Sequence, residues 1–424
     1  MIVIVVREQT GGFSVQISDL RKEYELLDIF CGLAEIPSPS LHEEEVIKYI
    51  IQFCKENNLN CRLDDYKNVY IKVDATDSSK EPIMLSSHMD VVGDNSPVVL
   101  ELDGDFIKAK NRTLGSDDKV GVASALLLAK TVAKSELKHG GLEITFTRDE
   151  ETNMSGIEHV EFDKINSKYV LVCDADKLAQ LQISGASYTN AKISVKAFLG
   201  GHSGNDIGDE KRVNAAKLIA ELINELPQGV FFKDETGVIT SCNLGAIIAG
   251  GIQNAVSALV SEGIKSQDYI SEINERSSTN IINTDAKACY SIRSASPEKE
   301  EELKNLMVSI VDKFNKKYDG LASAEIKFEI HLPPFVKVDD DRIEKVHTKA
   351  CEKLGIKNEI SSFHAGAETH IYANKTNKQG EKFRPFLLGL ADIYNMHSAR
   401  EKVDYKSFLK GYDIIRETFI EFNS

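Results

Sequence analysis

Three apolar runs in this chain each end on side chains that bind cations, and that recurrence limits the possible folds more than any other feature. Ile83-Met84-Leu85 leads into Ser87-His88-Met89-Asp90, Ile144-Thr145-Phe146-Thr147 into Asp149-Glu150-Glu151, and Val170-Leu171-Val172-Cys173 into Asp174. Between the first two lies an Ala- and Leu-rich stretch, and its spacing predicts a helix from about 119 to 134. A further helix is expected to begin at 157–160. Strands that alternate with helices and end on ligand-type residues are the grammar of a doubly wound, mostly parallel α/β sheet, whose sites lie outside the strands' C-terminal ends.

The rest of the chain divides around this pattern. Helical spacing runs from Leu20 to Asn58 through Tyr24, Leu27, Phe30, Leu33, Val46, Ile47 and Ile50. Ile36-Pro37-Ser38-Pro39-Ser40 breaks it, and Ser40 with the Glu residues at 43–45 predicts a helix start. Strands are expected at 69–73, 83–87, 106–108, 142–147 and 169–173. After about Ala186 the texture changes. Strands are expected at 191–197, 240–248, 280–292 and 324–330, with helices at 213–225 and 297–317. This segment reads as an inserted, smaller α+β domain over 188–332, closed by Pro333-Pro334. The α/β domain is then built from 1–187 and 333–424, with a helix at 342–354 and a strand at 386–390.

At 424 residues the chain is too long for one ordinary core. A net charge of −15 with no block of Lys or Arg repels a phosphate backbone, which excludes nucleic acid as a partner. The seven cysteines form no CxxC pair and read as buried free thiols, suited to a reducing cytosol. The opening MIVIVV is too short to span a membrane and is read as an added strand or a loosely attached extension. The expectation is a cytoplasmic protein with no membrane partner.

Chemistry concentrates at the strand ends. His88 and Asp90, two apart in an extended backbone, project the same way, so the carboxylate can hold the imidazole's tautomer. Asp117-Asp118-Lys119 follows a Gly-bearing turn and opens a helix; alone, these acids would read as dipole caps. Glu150-Glu151 does not fit that reading. Adjacent carboxylates repel one another unless a cation lies between them, so one can ligate while the other acts as base. With Asp174 and the distant Met396-His397-Ser398, the set supplies the hard-to-borderline ligands of two zinc-like cations and points to hydrolysis by metal-activated water.

Taken together these motifs resemble the di-zinc exopeptidase family that contains peptidase T, Xaa-His dipeptidase, carboxypeptidase G and aminoacylase, over about Arg21 to Phe419. The resemblance implies that His88 and Asp174 hold one metal, Glu151 and His397 the other, and Asp117 bridges them, followed by a cis peptide. By the same resemblance Asp90 orients His88 and Glu150 is the general base. Gly200-Gly201-His202-Ser203-Gly204 is similar to the family's lid motif, in which His202 would stabilise an oxyanion. Gly250-Gly251, Asn280-Ile281-Ile282 and Arg293 are similar to the stretch that grips the substrate carboxylate, and Glu368 in His364-Ala365-Gly366-Ala367-Glu368 would receive its ammonium. The implied protein is a homodimer acting on di- or tripeptides with a free N-terminus through a water shared by two divalent metals. Zinc is the expected ion, with manganese or cobalt as alternatives; deacylation of N-acyl amino acids is the alternative reaction, and a non-catalytic metal-binding relative is the alternative from another class. The insert would be its lid and dimerisation domain.

Overall fold

The computed structural model describes residues 16–249 and 279–424. The N-terminal MIVIVV and Gly250-Gly251 lie outside the described residues. The described residues form two compact units, one of 16–181, 339–360 and 375–424, the other of 182–249, 279–338 and 361–374.

The first unit is organised by an eight-stranded mixed sheet. At its centre Leu142–Thr147, Ile83–His88, Tyr169–Ala175 and Arg384–Gly389 lie side by side and parallel. Val69–Val73 and Asn60–Leu63 extend one side antiparallel, so the sheet is parallel only through its middle. All six residues of both Ile83–His88 and Leu142–Thr147 are buried, although the second alternates apolar and polar side chains and the first ends in Ser86-Ser87-His88. The Ser116–Ala133 helix packs between the Ile83–His88 strand and the helices Glu25–Ala34 and Tyr405–Phe422. Val122, Leu126 and Leu128 are buried along it, each contributing roughly 1.5–3 kcal/mol.

A second, four-stranded sheet in this unit pairs Leu100–Asp103 with Phe106–Ala109, then Lys402–Asp404, then Ile393–Tyr394. It brings the start of the 110–117 loop beside the hairpin that carries His397.

The second unit contains a five-stranded antiparallel sheet, in the order Gly229–Lys233, Ile239–Ala249, Asp285–Ser294, Tyr188–Ala197 and Ala322–Leu332. Buried and more exposed residues alternate along Asp285–Ser294. Tyr290 and Ile292 on its inner face pack with Leu218, Leu222, Met307 and Phe314 from the helices Ala215–Glu225 and Pro297–Lys317.

Three sequence expectations are corrected. The helix expected to start near Ser40 begins at Glu44, because the Ser40 hydroxyl is committed to Asp90 instead. The helix expected from Ile157 is only the four-residue turn Ser155–Glu158, closed at His159 and followed by the short 3-10 turn Phe162–Lys164 before the strand at Tyr169–Ala175. The strand expected over 280–292 is two: Ile281–Ile282 pairs with Gly201–His202, and Asp285–Ser294 with the large sheet. All seven cysteines are free, five of them buried. Among the described residues no helix is long and apolar enough to cross a membrane.

Candidate metal centre

The parallel register places the chemistry. His88 is level with Thr147, and Ser86 with Val172, so His88, Asp174 and the turn leading to Glu150 emerge together at one edge of the sheet. His88 is buried. Its Nδ1 lies 2.9 Å from the Asp90 carbonyl, which can only accept, so Nδ1 carries the proton. The other ring nitrogen, Nε2, faces two carboxylate oxygens, Asp117 Oδ1 at 3.0 Å and Asp174 Oδ1 at 3.5 Å. On the other side His397, in a left-handed backbone conformation, places Nε2 3.1 Å from Asp117 Oδ2 and 3.2 Å from Glu151 Oε2. Asp117 is thus divided between two imidazoles, and a further acid completes each side.

Asp118 is turned away from this arrangement. The Asp117–Asp118 peptide is cis, and the Asp118 carboxylate accepts from the Gly121 N–H at 3.0 Å. A Cβ at Gly121 would lie 2.4 Å from both Asp118 Oδ1 and Ser87 Oγ, so this close approach requires glycine.

Nitrogen and oxygen atoms 3.0–3.5 Å apart fit the edge of a tetrahedron, which measures roughly 3.3 Å for bonds of 2.0–2.1 Å to zinc. His88, Asp117 and Glu151 offer ligand atoms all within 4.8 Å of one another. The acids are crowded without a cation. Burial, reinforced by the Asp117 charge, pushes Asp174 well above the carboxylate range. Burial also raises Glu151 to about 7, with the Asp117 and Asp90 charges adding and the two imidazoles opposing. Burial alone would lower His88, but hydrogen bonds to Asp117 and Asp174 carry it well above its usual value. His397 is raised to about 9, first by its bond to Asp117. Buried Glu151 Oε1 has no hydrogen-bond partner among the described residues. Crowded buried carboxyl groups, a ring nitrogen aimed at two of them and an orphaned oxygen all fit divalent cations.

Supporting residues hold these groups in place, and sequence reasoning missed most of them. Asp90 sits beside His88, yet the nearer partner of the ring is its backbone carbonyl, with Oδ1 at 3.4 Å. The Asp90 carboxylate spends its bonds on the Ser40 hydroxyl at 2.7 Å and on the N–H groups of Glu150 and Glu151 at 3.0 and 3.1 Å. It therefore ties the His88 strand to the Glu-Glu turn. Glu43, fully buried, accepts from the Asp149 N–H and pairs with Arg148 at 2.6 Å. Buried Glu401 grips the backbone before Asp117. A carboxylate four residues from one candidate ligand gives no sequence signal of its own, because its partners are backbone groups far away in the chain.

The remaining predicted residues lie in the second unit. His202 is exposed in the short Gly201–His202 strand, and its Nδ1 accepts from the N–H groups of Gly204 and Asn205. The Asn280 carbonyl accepts from the Ser203 N–H at 2.9 Å, so Asn280 and the His202 turn are joined. Arg293 is paired in register with Ser241, whose hydroxyl lies 2.7 Å from His364 Nε2, and its guanidinium stacks over Tyr188 at 4.7 Å. Glu368 is buried at the start of the Thr369–Ala373 helix. The structure therefore brings all five candidate ligands together with Asp90 and the Glu150 backbone, and separately clusters Arg293 with Ser241, Tyr188 and His364.

A family model, Peptidase family M20/M25/M40, matches residues 84–421, most of the chain and every candidate ligand. The chain belongs to this family. The M20 resemblance read from the motifs is borne out, as is the α/β architecture with its inserted domain. Cytosol non-specific dipeptidase of Escherichia coli K12 is 28% identical over 212 residues, covering 43% of this chain and 43% of that protein. The chain thus spans less than half the length of that relative in the match. Aminopeptidase PepT from Bacillus cereus has a similar fold, with a TM-score of 0.77 at 20% identity, covering 94% of this chain and 98% of that one. Bacillus subtilis YXEP protein, described as a dinuclear metal binding peptidase from the M20 family, has a TM-score of 0.66 at 15% identity, covering 93% and 97%. At these identities the two structures speak to fold alone.

Proposed function

We propose that this M20 member is a metallopeptidase that hydrolyses di- or tripeptides with a free N-terminus, using two divalent ions. One observation carries the reading: Asp117 directs one oxygen to each of two imidazoles that are 309 residues apart in the chain (397 − 88). His88, Asp174 and Asp117 would hold one ion, and His397, Glu151 and Asp117 the other. Zinc is the proposed metal, and imidazole with carboxylate also suits manganese or cobalt. When bound, such ions polarise a scissile carbonyl and acidify a water.

The chain's own groups do the rest. Glu150, on the turn anchored by Asp90, takes the water's proton and returns it to the leaving amine. Asp90 orients His88, and His202 donates to the developing oxyanion, a contribution commonly about 3 kcal/mol. Arg293 grips the terminal carboxylate, for which a guanidinium fork is suited, together with Asn280, whose carbonyl accepts from the Ser203 N–H of the His202 turn. Glu368 receives the α-ammonium. The protein acts as a cytoplasmic homodimer through its inserted lid and dimerisation domain.

The test is metal-reconstituted protein assayed on free di- and tripeptides and on their N-acetyl forms. Turnover of the free peptides after zinc, manganese or cobalt addition is expected. Turnover of the acetylated forms alone moves the assignment to a deacylase. No cation uptake and no hydrolysis of either set overturns it.

A further inference from the structure

We propose that Glu401 is the positioning residue that locks the Asp117 loop to the His397 loop, and so sets the separation of the two halves of the centre. The inference rests on the metal reading above and adds a residue to it.

The Glu401 side chain is 2% exposed, yet no Lys or Arg pairs with it among the described residues. Its charge is instead satisfied by backbone. Oε2 accepts from the N–H groups of Leu114 at 3.0 Å and Gly115 at 3.2 Å, and Oε1 from the N–H of Ser116 at 2.8 Å and from the Ser116 hydroxyl. These three successive residues are the last before Asp117. They form a concave row of donors just ahead of Asp117 and Asp118, whose non-helical backbone separates Ser116 from the regular helix that follows. Gly115 makes the row possible: its φ is +76°, and a Cβ there would lie 2.6 Å from Val91.

The other end of the tie is equally specific. Glu401 follows His397 by four residues, and its own N–H donates to the Ser398 carbonyl at 3.1 Å, closing the loop that presents His397. Ser398 in turn donates its hydroxyl to the Asn395 carbonyl at 2.7 Å. The next residue, Lys402, enters a strand paired with Phe106–Ala109. The two loops are thus adjacent in the small sheet, and Glu401 is the carboxylate that joins them where their ligands face each other. Without it the row at 114–116 would have buried donors and no acceptor, a state that relaxes by moving the loop and Asp117 with it.

The experiment compares full-length wild type, Glu401→Gln and Ser116→Ala after chelation and dialysis. Each is titrated with cobalt while its visible spectrum is recorded, and zinc affinity is read by competition with a coloured chelator. The amide of Glu401→Gln turns a donor towards donors, so its cobalt band is expected to shift and its zinc affinity to fall by about 10–100-fold, with an unchanged far-ultraviolet circular dichroism spectrum. Ser116→Ala removes one of the four bonds and weakens binding in the same direction. A folded Glu401→Gln with wild-type affinity and spectrum overturns the proposal. If that variant does not fold, wild-type behaviour in Ser116→Ala overturns it. Wild-type protein that takes up neither ion removes the metal reading itself, an outcome distinct from both.

Discussion

Replacing Glu43 by glutamine should destabilise the protein by about 3 kcal/mol. Glu43 is fully buried and serves four donors: the Leu41 N–H at 2.8 Å, the Asp149 N–H at 3.2 Å, and Arg148 Nε and Nη2 at 2.7 and 2.6 Å. In Glu43→Gln the amide oxygen can keep the two backbone N–H groups. The new NH₂ then points at two guanidinium donors, and Arg148 loses its buried counter-charge. Breaking a buried pair this way costs about 3–5 kcal/mol. The lower end applies because Arg148 keeps the Tyr66 carbonyl at 3.3 Å and the half-exposed Glu44 at 3.6 Å. The assay is urea unfolding, where a slope near 3 kcal/mol/M converts this loss to a midpoint shift of roughly 1 M. The control, Glu45→Gln, breaks the exposed pair with Lys48 and should leave the midpoint unmoved. Replacing both partners, Glu43→Leu with Arg148→Met, should recover only part of the loss, because the N–H groups of Leu41 and Asp149 stay without an acceptor. A Glu43→Gln midpoint within error of wild type would refute the argument.

Glu150→Gln should keep metal content and melting temperature while turnover falls by about 10²–10⁴-fold; near-normal activity would remove the proposed base. Chelation should lower the melting temperature, since the cluster of Asp117, Asp174 and Glu151 is then left to repel itself, and zinc should restore it; an unchanged melting temperature with demonstrated metal loss would count against the centre. His347 donates to the Ala179 carbonyl at 3.2 Å, and burial pushes its pKa from 6.5 down to about 4. Between those values the unfolded chain binds a proton that the fold refuses. Stability is therefore whole above pH 6.5 and falls by up to about 3 kcal/mol on descending to pH 4. His347→Gln should flatten that slope in urea midpoints at pH 7 and 4.5, and identical slopes would refute the assignment.

The sequence disclosed those parts of the centre that sit on regular structure. Leu142–Thr147, Pro297–Lys317 and Arg342–Leu354 match the boundaries read from periodicity, because buried strands and capped helices write their period into side-chain type. His88 and Asp174 were legible because each lies at the end of a strand that opens with an apolar run. Glu401 and Glu43 were not, since each binds backbone or a partner more than a hundred residues away, and no local pattern encodes that. Ser40 was misread for a related reason. A serine before a glutamate run is the mark of a helix cap, and only the folded chain reveals that Asp90 competes for its hydroxyl. The short strands at Ile393–Tyr394 and Lys402–Asp404 carry too few residues to show a period at all, although they deliver His397.

His397 meets an aspartate 280 positions earlier in the polypeptide. During synthesis, which proceeds from the N-terminus, His88, Asp117, Glu151 and Asp174 all leave the ribosome long before their last companion. On the proposed two-ion reading, a product that ends before His397 carries all three side chains assigned to one ion but only two of the three assigned to the other. The proposed second site therefore waits on a loop that emerges well after the strands carrying the other candidate ligands.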